Sequence, residues 1–253
     1  MSATAPATWV LLRGLMRDSR HWGAFPHTFE QRFPGARIER IDFPGNGTRH
    51  REASPLGVDA MADQVRRELA RRGCPPPYGV LAMSLGAMAV TAWAARHPGD
   101  IRACVLVNTS LRPFSPPHWR LRPAVWPALL QMLLKPPTAR EIERRILQLT
   151  SRSAPEAVLD DWCAWRLSHP VSSANALRQL AAAARYRAPR QAPAVPLLIV
   201  NGAGDALVDP RCSTRLAAAW DCPIAVHPSA GHDLPLDDGD WLADTVRDWL
   251  AAG

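Results

Sequence analysis

No stretch of about 18 consecutive apolar residues occurs in this 253-residue chain, which leaves no candidate for a membrane-spanning helix. The opening residues, MSATAPATWVLLRG, have no basic region ahead of their apolar stretch and no small-residue cleavage site. That stretch, residues 9–12, is too short for a secretory signal, so the expected location is the cytoplasm. Cysteine is sparse and odd in number: Cys74, Cys104, Cys163, Cys212 and Cys222, with no C-x-x-C pair. Neither a disulfide framework nor a structural zinc site is expected. No H-E-x-x-H occurs and no histidine–carboxylate cluster has metal-ligand spacing, so no metal is expected. Lysine is almost absent, with Lys135 alone, so the net charge of +7 rests on arginine. The arginines are dispersed, with only short pairs such as Arg66-Arg67 and Arg71-Arg72, and this argues against a nucleic-acid partner.

What is present is ordinary for a folded protein: 47% hydrophobic and 21% charged residues, in a length that suits one large α/β domain or two small ones. Short apolar runs at 8–13, 36–42, 78–83, 101–108, 195–201 and 222–227 read as strands. They are apolar on both alternations, as strands buried on both faces of a parallel sheet are. Helical spacing appears between them. Residues 58–72 place Met61, Val65 and Leu69 on one face, and residues 240–250 do the same with Trp241/Leu242, Thr245/Val246 and Trp249/Leu250. This alternation predicts a doubly wound, mostly parallel α/β sheet.

The rhythm breaks at 111–189, which contains no convincing strand. The segment opens with Pro113, Pro116, Pro117, Pro123 and Pro127 and then turns helical. Ile142, Ile146 and Leu149 share one face, Trp162, Trp165 and Leu167 mark a second helix, and a third runs over 174–186. A structureless loop of this length is implausible. An inserted helical subdomain above the carboxyl edge of the sheet is expected, dividing the chain into a core of 1–110 and 190–253 and a cap of 111–189.

The stretch VLAMSLGAM, residues 80–88, places a single hydroxyl between a strand and a helix. A serine on such a turn can be a nucleophile, and then the positions two to either side must be small because they meet neighbouring backbone. Ala82 and Gly86 fit, in the pattern A-M-S-L-G. The helix start would also aim backbone N–H groups at an oxyanion. The alternative is a helix-capping serine. A nucleophilic hydroxyl needs a base and an orienter. Asp205 follows the fifth strand in GAGDALVDP and His232 follows the sixth in SAGHDLP, so Ser84, Asp205 and His232 fall at one sheet edge in the order Ser, Asp, His. Asp209 competes as the acid but suits a helix cap better. The other seven histidines compete as the base, yet none follows a terminal strand within a G-H loop. Gly202-Ala203-Gly204 lacks the third glycine of a dinucleotide fingerprint, Leu207 standing in its place.

With LLRGLMRDSRHW (11–22), DFPGNGTRH (42–50), LIVNGAGDALVDP (198–210) and SAGHDLP (229–235), the chain resembles the α/β-hydrolase superfamily over most of its length. The resemblance implies Ser84, Asp205 and His232 as a catalytic triad, and oxyanion donors at the backbone N–H of Leu85 and of Leu15 or Met16. It implies a cap at 111–189, no cofactor, and a small-molecule acyl substrate. Arg13 stands where members commonly have histidine; it either organises the loop or reaches an anionic substrate. Only seven residues precede the first expected strand, so a sheet of about six strands is expected. Arg13, Met83, Trp119 and Trp162 are the candidate substrate contacts, with core packing as the plainer role of the tryptophans. A serine-type carboxylic-ester hydrolase, monomeric or weakly dimeric, is the expected function. A thioesterase or C–C bond hydrolase acting on an acidic or carrier-bound acyl group, or a silent ligand-binding homologue, are the alternatives. A serine at position 84 argues against haloalkane dehalogenases and epoxide hydrolases, which use a carboxylate there.

Overall fold

The computed structural model describes residues 5–127 and 138–252; the part of the expected cap at 128–137 lies outside the described residues. Six strands form one sheet: β1 (Thr8–Leu12), β2 (Arg37–Arg40), β3 (Tyr78–Met83), β4 (Ile101–Val107), β5 (Leu197–Gly202) and β6 (Ile224–His227). Their order is β2-β1-β3-β4-β5-β6 and every pairing is parallel. The winding reverses between β1 and β3, and clefts in such sheets open beyond the carboxyl ends of the strands at that point.

Alternate strand residues face opposite layers. On one face, Val10, Leu12, Val80, Ala82, Cys104, Leu106 and Ile199 pack against Met61, Val65 and Leu69 of α2 (Val58–Arg71), Trp93 of α3 (Leu85–Arg96) and Leu216. On the other, Trp9, Leu11, Leu81, Met83, Val105, Val107, Leu198 and Val200 meet Phe25 and Phe29 of α1 (Phe25–Arg32) and Leu242 and Val246 of the C-terminal helix Gly239–Ala252. The four central strands are buried on both faces as expected. The edge strands are not: β2 exposes Arg37 and Arg40, and β6 is only partly covered. An edge strand has one neighbour, so side chains such as Arg37 can reach water, which also protects the edge from further pairing.

The described residues between β4 and β5 are helical or irregular. α4 (Pro117–Arg120), α5 (Ala139–Thr150), α6 (Val158–Ser168) and α7 (Ser173–Arg185) follow in order. The segment leaves and re-enters at one place, where Ala188 N–H donates to the Arg112 carbonyl at 2.7 Å. The buried face of α5 differs from the apolar spacing in its sequence. It centres on Glu143 and Leu147 rather than on Ile142, Ile146 and Leu149, because Glu143 is turned inward by two arginines. Leu167 of α6 is 73% exposed, while Trp162 is buried against Leu147 and Leu159. The remaining elements are α8 (Arg211–Trp220), α9 (Leu234–Asp237) and α10, the C-terminal helix. Among the described residues no helix is long and apolar enough to cross a membrane.

Gly86, in the first turn of α3, lies against the end of β1. A Cβ there would sit 2.6 Å from the Arg13 carbonyl oxygen and 2.7 Å from that of Leu12. Both are backbone atoms and cannot swing aside. Gly86→Ala is therefore expected to destabilise the fold by about 1–3 kcal/mol. Gly99→Ala, where an added Cβ meets nothing within 4 Å, should be nearly neutral. Equal urea midpoints for the two variants would refute this account.

Candidate active site

Ser84 occupies the one-residue link between β3 and α3, with φ 50° and ψ −114°. A left-handed φ costs a residue with a Cβ about 1–2 kcal/mol. The turn is held from both sides: Ser84 N–H donates to the Val107 carbonyl at 3.0 Å, and the Ser84 carbonyl accepts from the Met88 N–H at 3.2 Å and the Thr109 hydroxyl at 3.0 Å. Although Ser84 stands at the N-cap of α3, its side chain makes no capping hydrogen bond. The capping role is therefore not the one its hydroxyl fills, and the residue is partly exposed above the sheet.

Two backbone segments face this serine. Leu85 begins α3, so its N–H has no acceptor within the helix and lies at the positive end of the helix dipole. The turn after β1 also comes close, since a Cβ on Gly14 would sit 3.1 Å from Ser84 Cβ and 3.7 Å from Ser84 Oγ. The two alternatives in that turn are in different situations. Met16, at φ 55°, donates its N–H to Gln179 Oε1 at 2.9 Å, so that N–H is already engaged.

His232 and Asp205 meet directly, with Nδ1 2.7 Å from Asp205 Oδ2, and both are buried. Asp205 Oδ1 accepts from the N–H groups of Leu207 and Val208 at 2.8 and 2.9 Å, which fixes the carboxylate. Asp209 lies elsewhere in function: it accepts from the backbone and side chain of Arg211 at the start of α8. Asn108 ties the loops together. Its Nδ2 donates to the carbonyls of Gly231 (3.0 Å) and His232 (2.7 Å), and its Oδ1 accepts from Gly202 N–H at 2.9 Å. The loop after β6 packs on Gly202, where a Cβ would lie 2.1 Å from the Ala230 carbonyl oxygen.

Arg13 is buried and forms a two-pronged pair with Asp233, Nη1 to Oδ1 at 2.9 Å and Nη2 to Oδ2 at 2.5 Å. It also donates to Met83 Sδ at 3.1 Å and lies over the Trp22 ring. Of its two expected roles, the geometry favours loop organisation, since both terminal nitrogens are engaged. Met83 is itself buried beneath it. Arg211 and Arg215 of α8 lie over the Trp119 ring, 4.1 and 5.3 Å from its centre. Trp162 lies under Arg17 at 4.1 Å. Arg17 in turn donates to Glu143 at 2.8 Å and to His21 Nε2 at 2.9 Å. Burial and the charge of Arg17 hold His21 down to about 4, so it is neutral near pH 7. Among the described residues no three His, Cys, Asp or Glu side chains converge as a metal ion would require.

Asp233, Asn108, Gln179 and Glu143 are the members sequence reasoning missed. Asp233 sits inside the quoted SAGHDLP, and an acidic residue next to the histidine, opposite an arginine at 13, was the available signal.

The sequence profile of the alpha/beta hydrolase family matches residues 9–245. A pimeloyl-[acyl-carrier protein] methyl ester esterase of Chromobacterium violaceum is 27% identical over 235 residues, 90% of this chain and 78% of that protein. In structure, the chain is similar to a thermophilic esterase from Thermogutta terrifontis (TM-score 0.75, 19% identity, covering 97% of this chain and 90% of that one). It is also similar to a hydrolase from Pseudomonas aeruginosa (TM-score 0.73, 18% identity, 98% and 91%). At these identities the structural likeness speaks for the fold alone.

The Arg13–Asp233 pair yields a stability prediction. Burial would raise the Asp233 carboxyl, but the charge and hydrogen bonds of Arg13 outweigh it and hold the group below its usual range. Its stabilisation is thus complete above the ordinary aspartate value of about 3.9 and is lost as pH falls through the lowered folded value. Arg13→Ala, which strands a buried carboxylate, should cost about 3–5 kcal/mol at neutral pH. The double variant Arg13→Met/Asp233→Leu should lose less stability than the wild type on acidification below about pH 4. Parallel urea-unfolding curves across that range would count against the pair.

Proposed function

The chain belongs to the alpha/beta hydrolase family, and from this we propose that it is a serine hydrolase cleaving carboxylic esters through an acyl-enzyme on Ser84. The observation that carries the reading is the Asp205–His232 hydrogen bond at the same sheet edge as a strained serine whose hydroxyl caps nothing. In the proposed cycle Ser84 Oγ attacks the acyl carbon while His232 takes its proton. Asp205 holds the imidazole with Nδ1–H toward itself, so that Nε2 is the base, and stabilises the imidazolium. The carbonyl oxygen becomes an anion held by the N–H groups of Leu85 and Leu15. Collapse of the tetrahedral adduct breaks the ester C–O bond, and His232 returns the proton to the departing alcohol. Water then adds to the acyl-enzyme with His232 again as base, releasing the acid and restoring Ser84.

Residues 111–189 serve in this reading as a cap on the core of 1–110 and 190–253. Contacts from the segment to the site's own loops support it: Arg17 with Glu143, Met16 with Gln179, and Arg122 Nη1 with the Asp205 carbonyl at 2.9 Å. The substrate is a small acyl ester, and the cytoplasm suits a chain whose five cysteines are all unpaired. The Chromobacterium relative favours one finer version, a methyl ester on an acyl chain held by a carrier protein, and the net charge of +7 would suit such a carrier if it is acidic. Hydrolysis of that ester should then fall with added salt, whereas a free ester of the same chain should be insensitive.

Nitrophenyl esters of increasing chain length test the core reading. Ser84→Ala should abolish turnover, by about 10⁴-fold or more. Asp205→Asn should lower kcat by on the order of 10⁴-fold, because the amide favours the wrong imidazole tautomer. Turnover that survives Ser84→Ala at the wild-type rate would overturn the assignment.

A further inference from the structure

Gln179 projects from α7 into the core loops and is fully buried. Each polar function of its amide has a partner. Oε1 accepts from Met16 N–H at 2.9 Å, and Nε2 donates to Asn46 Oδ1 at 2.7 Å and to Ser54 Oγ at 3.0 Å. The partners leave one way round for the amide. Met16 offers only an N–H. Asn46 Nδ2 is already committed to the Arg17 carbonyl at 3.0 Å, so its oxygen faces Gln179. The Ser54 hydroxyl gives its proton to the Pro44 carbonyl at 2.7 Å, so it faces Gln179 with a lone pair. The contact is also braced from α7 itself, where Asn175 Oδ1 accepts from Ser54 N–H at 2.9 Å and Arg178 Nε donates to the Ser54 carbonyl at 2.6 Å.

Two of the bonded groups, the Met16 N–H and the Arg17 carbonyl, belong to the turn after β1, whose Gly14 lies against Ser84. Met16 is left-handed at φ 55°, a conformation that persists in a residue with a Cβ only when its surroundings impose it. Gln179 is the group that meets its N–H. Leu15 lies between the glycine that touches the serine and the methionine that Gln179 grips.

We propose that Gln179 is a positioning residue for the oxyanion hole: by fixing the peptide that follows Leu15, it aims the Leu15 N–H at the place where the anion forms. It touches no reacting atom and acts through the turn. The proposal rests on the reading of Ser84 as nucleophile and adds that the donor geometry is set from the segment between β4 and β5.

The test compares wild type with Gln179→Met, which keeps length and loses all three bonds. The probes are a nitrophenyl ester, a boronic acid that forms an anionic tetrahedral adduct on serine, and hydrogen exchange at the Met16 amide. The variant should lose kcat by about 100-fold with KM within about twofold. Boronate affinity should weaken in parallel, while circular dichroism and the urea midpoint show the protein folded at the assay temperature. Exchange at Met16 should accelerate by at least about tenfold, because its acceptor is gone. Gln179→Glu, which keeps an acceptor for Met16 but presents a carboxylate to the Asn46 oxygen, should lie between the two. A folded Gln179→Met with wild-type kcat and boronate affinity would overturn the proposal, as would a loss confined to KM. If wild type does not hydrolyse esters and is unmarked at Ser84 by a fluorophosphonate, the esterase reading fails, and the catalytic part of this proposal fails with it. Met16 exchange still decides the clamp, and equal rates in both proteins would refute it.

Discussion

Arg13 and Asp233 lie 220 residues apart in the chain and meet as a buried, two-pronged ion pair. Arg13 follows β1, and Asp233 closes the loop that follows β6. Three strands, β3, β4 and β5, separate β1 from β6 in the sheet. At about 4.8 Å per spacing, the loop after β6 must reach back across about 19 Å of sheet edge to make this contact. It passes over the ends of the central strands on the way, and His232 is the residue just before the anchor. The pair therefore sets where the imidazole is, not merely how stable the loop is. A well-packed apolar pair can match a buried ion pair in stability, so what the charges contribute is direction.

A second layer of alternating charge lies beside the first. Burial would raise the Glu143 carboxyl, but Arg17 and Arg166 more than offset it and keep it below its usual range. Arg17 is shared among Glu143, neutral His21 and the face of Trp162. Arg13, Asp233, Arg17 and Glu143 thus place two positive and two negative groups near the turn after β1, each opposed by a neighbour. α5, which carries Glu143, is joined to the core loops through this arrangement and α7 through Gln179. The inward turn of Glu143 also explains why Ile142, Ile146 and Leu149 are only partly buried, although Ile146 packs against the Leu147 cluster. Periodicity reports where oil is, and here the helix is oriented by a carboxylate that two arginines neutralise.

The central strands were legible because burial on both faces leaves continuous apolar runs, and β3 begins and ends where that run does. β2 was overextended, since an edge strand has weaker demands on its side chains. The placement of Ser84, Asp205 and His232 just past strand ends was legible because small residues and strand boundaries mark it locally. Asp209 carried a helix-start signal, and it meets Arg211 at the start of α8, while Asp205 meets His232. The supporting polar groups were not legible. Asn108, Asp233 and Gln179 carry no spacing signature, because their partners are 94 to 220 residues distant, as Asn108 shows with Gly202 at 94, Gln179 with Met16 at 163 and Asp233 with Arg13 at 220. Trp162 is buried and Trp119 only partly so, and each has an arginine over its ring.

A parallel sheet buried on both faces leaves little room for polar side chains within its strands, so chemistry enters most readily where a strand stops. Arg13, Ser84 and Asn108 each stand one residue beyond β1, β3 and β4. Asp205 stands three residues beyond β5, and His232 five beyond β6. The reach lengthens with distance from the point where the winding reverses, as it must if all five are to converge beside β1 and β3. Longer reach brings more exposed backbone and more freedom, and the structure answers with more restraint on the longer loops. Asp205 is held by two backbone N–H groups, whereas the loop to His232 is held by Asn108, by Asp237 at the Gly231 N–H, and by the Arg13–Asp233 pair. The turn after β1 is short but left-handed at Met16, and its restraint comes from outside the sheet altogether. The location of the site follows from sheet topology, and its precision follows from buried polar contacts that the topology itself does not supply.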